Sequence, residues 1–284
     1  MSINISELRH PKEKTRGFIM TVVGILGWGF VALILLATMA TGEFGHGFVL
    51  ILYGVAFWLF SLIARALTRA YMFGHYVMVG PDQFPHLHKM VVEGSAALGL
   101  EEAPTTFIYN SNGVMNAMAL RLVGRHRYVW LTSALIDADN DEQIRFVIGH
   151  ELGHHAAGHL DQMSNFLKLP AHFVPLLSQA YSRAREMTCD RVGAMLAGNL
   201  VASCSALQML ASGSAKLNQS MNLRSFLAQE EMVPPIAGKV LHIFSNYPRL
   251  TRRAEALIEW ARQASQRPAQ AAPVVAKNPQ PQVA

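Results

Sequence analysis

The 284-residue sequence predicts an α+β protein, with an amino-terminal helical hairpin able to cross a membrane and then a mainly helical body carrying a small sheet. Three observations predict it: two long uncharged apolar runs near the start, helical spacing through most of the remainder, and a few short stretches rich in β-formers. Hydrophobic residues make up 51% of the chain and charged ones only 15%. That is too apolar for an ordinary soluble enzyme and too polar for a protein made mostly of spans.

The first apolar run, FIMTVVGILGWGFVALILLATMA, occupies 23 residues from Phe18 to Ala40; the second, GFVLILYGVAFWLFSLIA, runs from Gly47 to Ala64. At about 1.5 Å per residue each crosses, or nearly crosses, a hydrocarbon core of about 30 Å. The short connector predicts a tight antiparallel pair, with Gly24, Gly27 and Gly29 letting the two helices approach closely. The first run exceeds the roughly 7–15 residues of a signal-peptide core, so a retained anchor is expected.

Arg9, Lys12, Lys14 and Arg16 precede the first run and Arg65 and Arg69 follow the second, while the connector has no Lys or Arg. The positive-inside rule then puts both ends, and the body, in the cytoplasm. The expected organisation is a basic leader at 1–17, a two-helix membrane anchor at 18–70, a body at 71–265 and a disordered Ala/Pro/Gln tail at 266–284. The net charge of +5 comes without any basic stretch interleaved with aromatics, so the lipid bilayer, not nucleic acid, is the expected partner of that charge. Cys189 and Cys204 are the only cysteines, which is no disulfide framework and fits a reducing compartment.

Within the body, residues 84–98 read as a helix stopped near Gly99 and Pro104. TTFIYN (105–110) and Tyr128 to Leu131 read as strands, with a turn at SNG. A helix follows through DEQIRFVIGHELGHHAAGH, with Asp139 as N-cap and Glu142 closing a capping box. The stretch 166–177, FLKLPAHFVPLL, is apolar but short, and it is broken by two prolines, Lys168 and His172. It reads as an interfacial or substrate-lining segment and not as a third span. Helical spacing returns over 178–211.

HELGH at 150–154 is the H-E-x-x-H pattern on a helix. His150 and His154 are about 400° and about 6 Å apart along the axis, so both imidazoles leave one face and can share one Zn2+ at about 2.0–2.1 Å. Glu151 points to the side, where it can take a proton from a metal-activated water without being a ligand. His155 and His159 lie about 100° and about 180° away on an unbroken helix and read as surface or packing residues. A catalytic zinc needs a third protein ligand. SRAREMTCDRVGAML offers Glu186, with Asp190 one turn on to accept the N–H of a ligating imidazole. Glu142, Cys189 and Asp161 are the poorer candidates. The alternative reading is a non-catalytic membrane scaffold in which zinc only stabilises the fold.

HELGHHAAGH, SRAREMTCD and YPRLTRRAEAL, preceded by NAMA at 116–119, resemble the HtpX-type heat-shock proteases. These are membrane-anchored zinc metalloproteases of the family that also holds the CAAX-prenyl endopeptidases. The resemblance covers roughly residues 75 to 260. It implies a gluzincin-like metalloprotease domain, with a mixed sheet beside the motif helix and an edge strand that pairs with an extended substrate at Asn116 and Ala117. It further implies His150, His154 and Glu186 as ligands of one Zn2+ per chain, Glu151 as the base and Asp190 behind a ligand. Membrane or misfolded proteins would be cleaved at the cytoplasmic face of a bacterial-type inner or plasma membrane, for protein quality control. The sequence departs from the family where His-Pro is usual and Tyr247-Pro248 stands. A tyrosine hydroxyl can donate the same hydrogen bond to an oxyanion, so Tyr247 is the expected substitute, supported by Arg252 or Arg253.

Overall fold

The computed structural model describes residues 3–42, 44–122, 124 and 126–266. A short helix α1 (Ile5–Leu8) leads into α2 (Pro11–Ala40) and α3 (Phe44–His75), two helices long and apolar enough to cross a membrane. Both outrun the apolar runs, α2 at its start and α3 at its end. Most of their large apolar side chains, among them Leu26, Phe30, Phe48 and Phe57, are exposed, a surface that water does not tolerate on this scale. The hairpin contact is at Gly47, where a Cβ would come within 2.9 Å of the Thr38 hydroxyl. The expected glycine seam is elsewhere. Gly24 and Gly27 face residues 167–170, and Gly29 has no neighbour within 4 Å of a built Cβ.

The stretch expected as a leader packs on the body. Leu8 is in the main core, Ile3 donates its backbone N–H to Ala97, and Glu13 is buried. After α3 come β1 (Val77–Met78), α4 (Pro85–Ala97), β2 (Thr105–Tyr109), β3 (Ala117–Leu120) and β4 (Tyr128–Thr132). The sheet order is β1-β2-β4-β3; β2 and β4 are parallel and the other pairs antiparallel, so the sheet is mixed and β3 is an edge.

α5 (Ser133–Ala138) is followed by α6 (Asp141–Ala156), the motif helix. Its cap corrects the sequence expectation by one residue. Asn140 is the N-cap and Gln143 completes the capping box, because Asn140 has the extended backbone whose side-chain oxygen reaches the N–H groups of residues 142 and 143. α6 also ends before His159, since Gly158 turns the chain at φ +72°.

Then follow α7 (Gln162–Lys168), a 3-10 turn (Leu169–Phe173), α8 (Leu177–Ala197), α9 (Leu200–Ser212), α10 (Ala215–Gln219), α11 (Leu223–Ala228), α12 (Pro235–Phe244) and α13 (Leu250–Ser265). The helical stretch 178–211 is thus two helices, split where Gly198 takes a left-handed backbone. α6 is buried on all sides, between α8, α9, α4 and β3. It meets α8 at close range because both carry glycine at the crossing. A Cβ on Gly193 would lie 2.6 Å from the Phe146 carbonyl, and one on Gly149 would lie 2.9 Å from the Gly193 Cα. Apart from Gln266, which caps α13, the expected tail lies outside the described residues.

Candidate metal centre

The crossing of α6 and α8 brings the candidate ligands together. His150 Nε2 is 3.3 Å from one Glu186 oxygen and His154 Nε2 is 3.6 Å from the other. Donors tetrahedral about one ion at about 2.0–2.1 Å stand roughly 3.4 Å from one another, close to the separation of each ring from its Glu186 oxygen. His150 and Glu186 are buried, and His154 keeps a little exposed surface.

Cys189 also comes close, since ligand atoms of His150, His154 and Cys189 lie within 4.8 Å of one another. Two facts favour the carboxylate. Burial, with Glu186 and Glu151 nearby, pushes the Cys189 thiol well above its usual range, so it is the harder of the two groups to ionise. Glu186 stays ionised, because the hydrogen bond and charge of His150 and the charge of Arg253 outweigh its burial.

Behind His150, Nδ1 is 2.9 Å from Asp190, and Asp190 is gripped by both Nε and Nη2 of Arg253, at 2.9 and 2.6 Å. Arg253 comes from α13 and holds Asp190 near pKa 2 against the cost of burial. The site therefore favours positive charge at this ring. Burial works against it, yet hydrogen bonds from the ring to Asp190 and Glu186 bring His150 up to about 10, so an ion held at Nε2 would have to displace a proton there.

Behind His154 stands a second support that the sequence did not disclose. His159, expected as surface or packing, is buried; the Gly158 turn folds it back so that its Nδ1 is 3.1 Å from His154 Nδ1, and its Nε2 is 3.0 Å from Glu13. Glu13 also accepts from Thr188 and Arg9. Burial keeps His159 neutral, with a pKa of about 4, despite the pull of Glu13. A carboxylate can only accept, so His159 donates from Nε2 and must accept at Nδ1. His154 then donates from Nδ1 and keeps its Nε2 lone pair toward Glu186, which is the tautomer a metal ligand needs. His155 has the packing role, 3.0 Å from the Tyr128 carbonyl.

One cavity of about 350 Å³ is lined by His150, Glu151, His154, Glu186, Tyr247, Asn116 and Ala117 together. Asn116 immediately precedes edge strand β3, and its backbone carbonyl accepts from Thr132. Glu151 is hydrogen-bonded to the Ala119 backbone, and burial raises its carboxyl to about 7. Tyr247 stands at the mouth, 63% exposed, so its phenol is free to meet a ligand. Of the two arginines considered, Arg253 lines the cavity, whereas Arg252 turns to Glu230 at 2.6 Å. Glu142 bonds Asn199, and Asp161 caps α7 and pairs with Arg121; neither is at the centre. A larger groove of about 770 Å³, bordered by Arg16, Arg183 and Arg262, includes none of the candidate ligands.

The H-E-x-x-H helix and its partners on α8 can be compared with known proteins. Residues 81–174 match the sequence model of peptidase family M48. The resemblance read from the motifs is borne out by relatives. The chain is 27% identical over 210 residues to the plastoglobule-localized metallopeptidase 48 of Arabidopsis thaliana, covering 66% of this chain and 60% of that protein. It is 27% identical over 217 residues to a protease HtpX homologue of Paraburkholderia phytofirmans, covering 63% of this chain and 75% of the relative. The fold is similar to that of S. mikatae Ste24p, with a TM-score of 0.51 at 13% identity over 86% of this chain and 67% of that one. The family match takes in the H-E-x-x-H helix and about a third of this chain, and the chain spans 60% of the length of the Arabidopsis relative.

Proposed function

We propose that the chain is a zinc-dependent endopeptidase that cleaves membrane or misfolded proteins at the cytoplasmic face. The proposed layout is an anchor over 18–70 and a catalytic body over 71–265. The observation that carries this reading is the single cavity holding two imidazoles, a carboxylate and a separate buried carboxyl beside an edge strand.

His150, His154 and Glu186 hold the ion, and when bound it supplies Lewis acidity to the scissile carbonyl and to the attacking water. An extended substrate pairs with β3 at Asn116 and Ala117 and adds a strand to the sheet. Glu151 takes the proton of the attacking water at its carboxylate and returns it to the leaving amine; burial, by bringing that group near neutrality, suits both roles. Tyr247 donates its hydroxyl to the developing oxyanion from the cavity mouth. Asp190, held by Arg253, fixes the ring of His150. Three ligands facing a solvent-reaching cavity suit catalysis better than a closed structural site, which takes four.

The test is Glu151→Gln on purified protein with an unfolded casein-like substrate. Expected is unchanged metal content with cleavage lost, matched by the loss that a chelator causes in the wild type. Cleavage that persists in the variant contradicts the mechanism.

A further inference from the structure

The contacts of residues 159–181 with α2 have an ordered register. His159 meets Glu13. Deeper along α2, Trp28 donates its indole N–H to the Phe166 carbonyl at 2.9 Å, and the two rings stack at 4.5 Å. At Gly24 and Gly27 the backbone of residues 167–168 and the Pro170 ring come so close that a Cβ would lie 2.1 and 2.4 Å away. The chain then climbs back: Ala171 packs with Met20, Tyr181 lies on Gly17, and the Ala180 carbonyl accepts from Arg16 at 2.7 Å. The contacts thus begin at the Glu13 side chain, reach the Trp28 side chain and return to Arg16.

Trp28 is ten residues beyond Phe18, where the uncharged run begins, so the turning point lies about 15 Å along the helix. In a hydrocarbon core of about 30 Å that is the middle. A third crossing is excluded by length: with 16 residues between Leu160 and Leu177, each leg has about eight, or about 12 Å if helical.

The side chains sort in the same sense. Phe173 is 85% exposed, and Met163, Phe166, Leu169 and Val174 also face outward. The polar groups have partners in the protein, although Asn165 and His172 keep exposed surface. Asn165 donates to the His159 carbonyl, Lys168 donates to Ser164 and sits over the Tyr181 ring, and His172 pairs with Ser178. This is how polar groups must be arranged at membrane depth.

We propose that residues 163–174 form a re-entrant segment whose outward face is covered by lipid acyl chains. The inference rests on reading α2 and α3 as spans, and it names lipid as the occupant because the face is continuous with the bare apolar girdle of α2 around Leu26 and Phe30. Since Leu160, next to the start of the segment, lines the metal cavity, the dip sets the mouth of the site beside the bilayer. Chains that lie at or leave the membrane surface are thereby the substrates within reach.

The experiment uses the full chain in lipid nanodiscs, labelled with an environment-sensitive fluorophore at Leu169→Cys, next to the Pro170 that meets Gly27. Both native cysteines are buried, at 0% and 1% exposure, so the label reports the introduced site. Leu33→Cys on α2 and Glu101→Cys on the body serve as references. Expected at 169 is loss of most emission to lipids carrying a mid-chain spin label and little loss to aqueous iodide, as at 33 and opposite to 101. Quenching by iodide, as at 101, overturns the proposal, and so does protection from both quenchers, which would mean that protein covers the face. If position 33 also behaves as aqueous, the anchor reading falls and the dip with it.

Discussion

At the scale of single residues, the centre is organised by what stands behind each imidazole. Asp190 and Arg253 are both nearly fully buried and neutralise each other, so removing one charge strands the other. Asp190→Asn is expected to cost about 3–5 kcal/mol at neutral pH, measured by denaturant unfolding in detergent. The sign follows from the pKa. Asp190 titrates near 2 in the folded protein against 3.8 ordinarily, so its contribution is present above 3.8 and is lost as pH falls toward 2. The gap between variant and wild type should narrow over that window, and a gap that is flat with pH would contradict the pairing. Behind the other ring, His159→Leu removes the acceptor of His154 and should weaken zinc binding about 10- to 100-fold in chelator competition. Unchanged affinity would show that the Glu13–His159 chain does not orient His154.

The difference in legibility between these two supports is physical. His150, Glu151 and His154 are related by helical spacing, and Glu186 and Asp190 by one turn of a second helix, so local periodicity exposes them. His159 looked misplaced because the helix was extended through Gly158, whose positive φ ends it. Its partner Glu13 is 146 residues away and belongs to a stretch that reads as a solvated leader.

At the scale of elements, the decisive feature is the α6–α8 crossing, which glycine permits. Gly193→Ala would set a Cβ 2.6 Å from the Phe146 carbonyl, a backbone atom that cannot swing away. Forcing the helices apart should cost about 1–3 kcal/mol and weaken metal binding, since Glu186 rides on α8. A variant with wild-type melting temperature and affinity would show that the crossing tolerates the added methyl. Strands β2 and β4 were legible because Thr105–Tyr109 and Tyr128–Thr132 concentrate β-branched and aromatic residues. Two-residue β1 was not, since only its pairing with β2 makes it a strand. The glycines of α2 were read as a helix-pairing seam because sequence shows small residues and not their neighbours. Two of the three receive residues 167–170 instead.

At the scale of the whole molecule, anchor and body are one packed unit. α2 runs against α8, α7 and the 3-10 turn, and Glu13, on its first turns, closes the hydrogen-bond chain that ends at His154. The fold class followed from the apolar runs and the helical periodicity, whereas the joining of hairpin to body depends on contacts across more than a hundred residues. In the proposed function, what the whole arrangement serves is a single ion held between α6 and α8. The measurement that decides it is zinc content per chain in purified wild type, Glu186→Ala and Cys189→Ser, each checked for folded state by circular dichroism. One zinc per chain in the wild type and in Cys189→Ser, with loss in a folded Glu186→Ala, is the predicted result. Zinc retained in Glu186→Ala and lost in Cys189→Ser would contradict it.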